Sequence, residues 1–113
     1  MRLRRPPDFR RVWKEGRSWA HPLFILWAAS NELPFARVGL TASRKVGHAV
    51  ARNRARRLLR EAARRLYVHV TPGWDLVLVA RGSLLGENEQ SVETALEKML
   101  RRAGLWIDGQ DET

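Results

Sequence analysis

The 113-residue sequence contains no cysteine, which removes disulfide frameworks, thiolate zinc sites and cysteine nucleophiles together and suits a reducing compartment. Acids are scarce, with 12 Asp and Glu against 21 Lys and Arg and a formal net charge of +9. His21, His48 and His69 are scattered, with no His-x-x-x-His pair and no carboxylate at ligand spacing. Neither a metal cluster nor a convergent set of nucleophile and base is visible, so the chain offers little for catalysis by its own side chains. No apolar run reaches the ~18 residues of a membrane span. The opening segment MRLRRPPDFRRVW is basic but has no apolar stretch behind it, and does not resemble a secretory signal. Internal repeats and low-complexity linkers are also missing. With 44% hydrophobic residues at this length, the expectation is a single domain over residues 1–113 with one core, and residues 108–113 as a frayed polar tail.

What the chain does have is arginine. Between Ser43 and Leu66 it reads SRKVGHAVARNRARRLLREAARRL, nine cations against one acid, Glu61, and so +8 of the chain's +9. Solvated surface helices interleave Glu with Lys to form i,i+4 pairs. This segment does not, and its like charges call for an external counter-charge. Guanidinium groups pair bidentately with phosphate and stack on bases, which makes nucleic acid the first candidate partner. A basic membrane-surface helix would need large apolar groups opposite the arginines, whereas that face carries mainly Ala and Leu.

The rest of the chain divides by periodicity. Phe9, Val12 and Trp13 fall at i, i+3 and i+4 after Pro6 and Pro7 and before Gly16, the pattern of a short helix. Trp19 to Ala29 reads as a strand with apolar groups on both faces, and Phe35 to Ala42 as a second strand with Ala36, Val38, Leu40 and Ala42 on one side. The turn residues Ser30, Asn31, Glu32 and Pro34 between them predict a hairpin. Gly47 to Leu66 predicts an amphipathic helix with Ala51, Ala55, Leu58, Leu59, Ala62 and Leu66 inward. Trp74 to Ala80 predicts a buried strand, and Glu89 to Ala103 a helix ended by Gly104, its acids early and its bases late as the helix dipole favours. The order is an α+β sandwich of helices on a small sheet.

Ser43-Arg44-Lys45-Val46-Gly47, Ala49-Val50, Arg52-Asn53-Arg54, Arg56-Arg57 and Arg60-Glu61 together resemble the signature of the bacterial ribonuclease P protein family. Arg2-Leu3, Phe9, Val12, Gly16, Arg37-Val38-Gly39-Leu40 and Val79-Ala80-Arg81 extend the resemblance over most of the chain. His48 stands where the family commonly has Asn, and Arg44 where Lys is common. The resemblance implies an αβββαβα order with a small mixed sheet, of the kind found in the second domain of a ribosomal protein. It also implies a left-handed βαβ crossover, where the general rule gives a right-handed one.

By the same resemblance, the protein is a cytoplasmic bacterial subunit with no catalytic residues and no metal site of its own, and with no membrane or small-molecule partner. The catalytic RNA, using magnesium (Mg2+) bound mainly by that RNA, removes the 5′ leader of precursor tRNA. Arg44, Lys45, Arg52, Asn53, Arg54, Arg56, Arg57 and Arg60 would face the catalytic RNA, and Phe9, Trp13 and Trp27 would line a cleft for the leader. Stacking on aromatic faces tolerates any base, which fits a protein that must accept many leaders. Arg10, Arg11, Lys14 and Arg17 would either follow the leader backbone or be plain surface charge. A ribosomal protein or general RNA chaperone would share the basic helix and need no cleft.

Overall fold

The computed structural model describes residues 2–108, so the tail expectation for 109–113 lies outside the described residues. Helix α1 (Pro6–Glu15) is followed by strands β1 (Arg17–Ala20), β2 (Phe24–Ser30) and β3 (Arg37–Thr41), then helix α2 (Ala49–Leu66), strand β4 (Trp74–Ala80) and helix α3 (Glu89–Arg102). The four strands form one mixed sheet in the order β1-β2-β4-β3. β4 is antiparallel to β2 and parallel to β3.

Two expectations change here. The stretch read as a single strand from Trp19 is two strands, because His21-Pro22-Leu23 turns the chain tightly. The His21 N–H donates to the Phe24 carbonyl at 2.9 Å and the Leu23 N–H to His21 Nδ1 at 3.0 Å. The predicted hairpin between Trp19–Ala29 and Phe35–Ala42 does not form, since β4 lies between β2 and β3. The entry to β4 wedges into the presumed turn: the Asn31 N–H donates to the Gly73 carbonyl at 2.9 Å, and the Gly73 N–H to the Phe35 carbonyl at 3.2 Å. A strand apolar on both faces and paired on both edges belongs at the sheet centre, and β2 and β4 both meet that description.

Strand alternation sorts side chains to two layers. Phe24, Leu26, Ala28, Val38, Leu76, Leu78 and Ala80 face α2 and α3 and build the main core with Ala55, Leu59, Val92, Leu96 and Leu100. The other parity faces α1, where Ala29 and Val77 pack with Leu3 and Val12, flanked by Phe9, Trp27 and Val79. Trp19, Trp74 and Trp106 lie partly buried against the main core. The layer under α1 is thin because a ten-residue helix cannot cover a four-stranded sheet.

A buried carboxylate ties α1 to that layer. Asp75 is fully buried at the start of β4, opposite Arg37 of β3 in the parallel register. Arg37 donates to it twice, from Nε to Oδ1 at 2.9 Å and from Nη2 to Oδ2 at 2.7 Å, and Asn31 Nδ2 donates to Oδ1 at 2.8 Å. Arg11 of α1 closes the network on Oδ2 and also donates to the Ser30 carbonyl at 2.9 Å. Burial by itself would raise the Asp75 carboxyl, but the hydrogen bonds from Arg37 and Asn31 and the charges of Arg37 and Arg11 hold its pKa below the ordinary value.

Candidate nucleic-acid interface

The turn before α2 determines where its cations stand. Val46 is buried in the main core, and the Val46 N–H donates to the Ser43 carbonyl at 3.0 Å and the Gly47 N–H to the Arg44 carbonyl at 3.1 Å. Anchored at Val46, the turn leaves Arg44 and Lys45 exposed. Gly47, at φ +146°, redirects the chain into the helix; a Cβ there would lie 2.8 Å from the Ala51 Cβ. His48 heads α2, is exposed, and makes no capping hydrogen bond from its side chain.

Along α2, Ala55, Leu58, Leu59, Ala62 and Leu66 are buried. Asn53, Arg54, Arg57 and Arg60 are exposed, and Arg52 and Arg56 are half-buried. Arg56 Nη2 donates to Asn53 Oδ1 at 3.1 Å, and Arg52 Nη1 to the Gly47 carbonyl at 3.4 Å. Among the described residues, the ion pairs of α2 belong to its last turns: Arg64 with Glu61, and Arg65 with Glu89 and Glu93 of α3. Arg44, Lys45, Arg52, Arg54, Arg56, Arg57 and Arg60 enter none of them. Seven cations without a carboxylate thus share one turn and one helix face, and α2 has no acid in its first turn to offset its dipole.

On the opposite face of the sheet, Phe9, Trp13 and Trp27 come together. The Phe9 and Trp13 ring centroids are 6.4 Å apart, and Trp13 meets Trp27 edge-on at 5.2 Å. Trp13 is 38% exposed, so this cluster is open to solvent rather than sealed as core. Phe9 and Trp13, with Arg4, Pro6, Arg10, Leu40 and Thr41, line a groove of about 440 Å³, and Trp27 backs Trp13 from β2. Gly39 makes the close seating possible, since a Cβ there would lie 2.8 Å from the Phe9 Cζ. Arg10 borders this groove, whereas Arg11 is committed to Asp75 and Ser30 and is neither free surface charge nor a groove residue.

Sequence reasoning passed over Asp75, whose network holds α1, and with it Phe9 and Trp13, against the sheet. The available signal was an acid placed inside the apolar run WDLVLVA of a strongly basic chain. Among the described residues, no three His, Cys, Asp or Glu side chains gather into a group that could hold a metal ion. No helix among them is long and apolar enough to cross a membrane.

An α+β fold of this order, with unpaired guanidinium groups on one side of its sheet and an open aromatic groove on the other, defines a domain shaped to hold a polyanion. Residues 1–104 match the family model described as Ribonuclease P. The ribonuclease P protein component of Herpetosiphon aurantiacus is 39% identical over 107 residues, covering 95% of this chain and 87% of that protein. The RNase P protein from Thermotoga maritima has a similar structure, with a TM-score of 0.81 at 31% identity over 96% of this chain and 99% of its own. That of Staphylococcus aureus gives 0.82 at 29% identity over 94% and 97%. The chain belongs to the ribonuclease P protein family, and so is a component of a tRNA-processing endoribonuclease that works with an RNA subunit.

Proposed function

We propose that the two sides of the sheet divide the RNA partners between them. Arg44, Lys45, Arg52, Asn53, Arg54, Arg56, Arg57 and Arg60 bind the catalytic RNA, and the groove of Phe9 and Trp13 backed by Trp27 takes the single-stranded 5′ leader of precursor tRNA. The RNA subunit cuts the leader at the mature 5′ end, and the protein alone is inert. The Mg2+ of the reaction is held mainly by RNA phosphates, the hard oxygen ligands that this ion prefers. The protein's share is to bind the leader and to neutralise phosphates that would repel as enzyme RNA meets substrate RNA. This work belongs in the bacterial cytoplasm.

The observation that carries this reading is the open aromatic cluster, with Trp13 exposed and edge-on to Trp27 beside Arg10 and Arg4. A general RNA chaperone would need the basic helix alone. Stacking contributes about 1–3 kcal/mol per base and does not depend on sequence. Replacing Trp13 by alanine is therefore expected to weaken binding of precursor tRNA to the reconstituted holoenzyme by about tenfold or more, and to leave mature tRNA unaffected. The Trp27→Ala variant should act in the same direction, in part by unseating Trp13. Equal weakening of precursor and mature tRNA, or none of either, would remove the leader assignment.

A further inference from the structure

The groove beside Trp13 continues past the edge of the sheet. Arg4, Phe9 and Leu40 also border an adjoining hollow of about 410 Å³ that includes Arg2 and Leu3. Arg2 and Leu40 in turn border a third hollow of about 320 Å³ on the α2 side, completed by Val38, Arg60, Ala63, Arg64 and Tyr67. Leu40 lies on all three. β3 is one of the two outer strands, and its free edge carries a bridge from Arg2 to Val38, with the Leu3 N–H donating to the Val38 carbonyl at 2.9 Å. Through these shared side chains the three hollows adjoin in turn, from α1 past Leu40 to α2.

The last hollow has the makings of a base site. Its walls are the apolar side chains of Val38, Leu40 and Ala63 and the ring of Tyr67. Ala63 is small and leaves room above the helix. Tyr67 is fixed, because its hydroxyl donates to the Ala36 carbonyl, and burial raises the phenol's pKa. The rim is cationic. Arg2 and Arg60 enter no ion pair among the described residues, and Arg64 holds only Glu61, in an exposed pair that water screens. An apolar slot with one rigid aromatic wall and a cationic rim matches a nucleobase flanked by phosphates, with stacking and backbone neutralisation acting together.

We propose that this hollow is a second base-binding subsite for single-stranded RNA, reached by a leader that runs past Trp13 and around Leu40. One unstacked base lies between Tyr67 and Ala63, and Arg2 and Arg60 neutralise the phosphates on either side. The proposal rests on reading the aromatic groove as the leader cleft. It also moves Arg60, at the border of the two surfaces, from the catalytic RNA to the substrate.

The test is a series of precursor tRNAs whose leaders grow one nucleotide at a time, bound to the reconstituted holoenzyme. Ala63→Leu fills the slot while keeping a good helix former. Arg2→Gln removes a rim charge from an exposed side chain and leaves the backbone bridge to Val38 in place. With the wild-type protein, affinity should rise in two stages as the leader lengthens. Ala63→Leu should abolish only the second, a loss of about tenfold confined to long leaders. Arg2→Gln should lower the log–log salt slope by about 0.7 for long leaders and not for short ones. An unchanged second stage in Ala63→Leu, or an unchanged long-leader salt slope in Arg2→Gln, would overturn the subsite. So would weaker binding of the catalytic RNA in the absence of substrate, which would place the hollow at the enzyme RNA. If Trp13→Ala removes the first stage while both slot variants leave the second intact, the leader cleft stands and the subsite alone is wrong. If Trp13→Ala removes nothing, the parent reading fails with it.

Discussion

Replacing Asp75 by alanine should cost the fold about 3–5 kcal/mol, the usual result of removing one partner of a buried ion pair and leaving its cations behind. Arg11 and Arg37 are 28% and 24% exposed, so water can reach them after the loss and the lower half of that range applies. Against a native stability of about 5–15 kcal/mol, this is a large fraction, and urea unfolding would read it directly. Asp75→Asn isolates the charge, since it keeps the volume and one acceptor oxygen. Because the folded pKa of Asp75 lies below its ordinary value of 3.8, its ionisation stabilises the protein above that value. The stabilisation is lost as pH falls from about 5 down through the folded pKa. Wild-type stability should carry this acid loss, and the Asn variant should lack that component while being weaker at neutral pH. If Asp75→Asn matches the wild type at pH 7, the network is not what docks α1.

The opposite outcome is expected on the other side of the sheet. Substituting Arg44, Arg52, Arg54 and Arg57 together by glutamine leaves helix propensity close to unchanged and relieves repulsion among like charges. Thermal stability should therefore hold or rise. Binding to the catalytic RNA should collapse. Each phosphate contact contributes about 0.7–0.9 to the log–log salt slope, so the slope should drop by about 3. At 0.1 M salt that corresponds to an affinity loss on the order of a thousandfold. A slope unchanged after four neutralisations would mean that these side chains face solvent in the assembled enzyme.

These two experiments act on residues that were unequally visible in the sequence. The arginine segment could be read at once, because charge without interleaved acids is a local property and the inward positions Ala55, Leu58, Leu59 and Ala62 repeat at helical spacing. Phe9 and Trp13 were equally legible, since i and i+4 share a helix face. Their meeting with Trp27 needed the sheet as well as the helix. Strand alternation assigned Ala36, Val38 and Leu40 to the correct layer but said nothing about neighbours. Period two fixes which face a side chain joins, while the edge partner depends on where β4, more than thirty residues downstream of β3, inserts itself. The failed hairpin and the hidden role of Asp75 share that cause. The carboxylate's partners Arg11, Asn31 and Arg37 come from three separate segments, and only the insertion of β4 between β2 and β3 brings Asp75 alongside Arg37. Arg11 and Arg10 look alike as neighbours on α1 for the same reason, and only the sheet beneath separates their roles.

If this chain assists an RNA catalyst and acts on the leader, cleavage of a 5′-labelled precursor tRNA at low magnesium should need both components. The reaction is run with the catalytic RNA alone, with the protein alone and with both. Cutting at the mature 5′ end should appear with the mixture, while the protein alone releases no product and the RNA alone is slow. A protein that adds nothing to the RNA would not be assisting it, and one that cuts without it would carry an active site of its own.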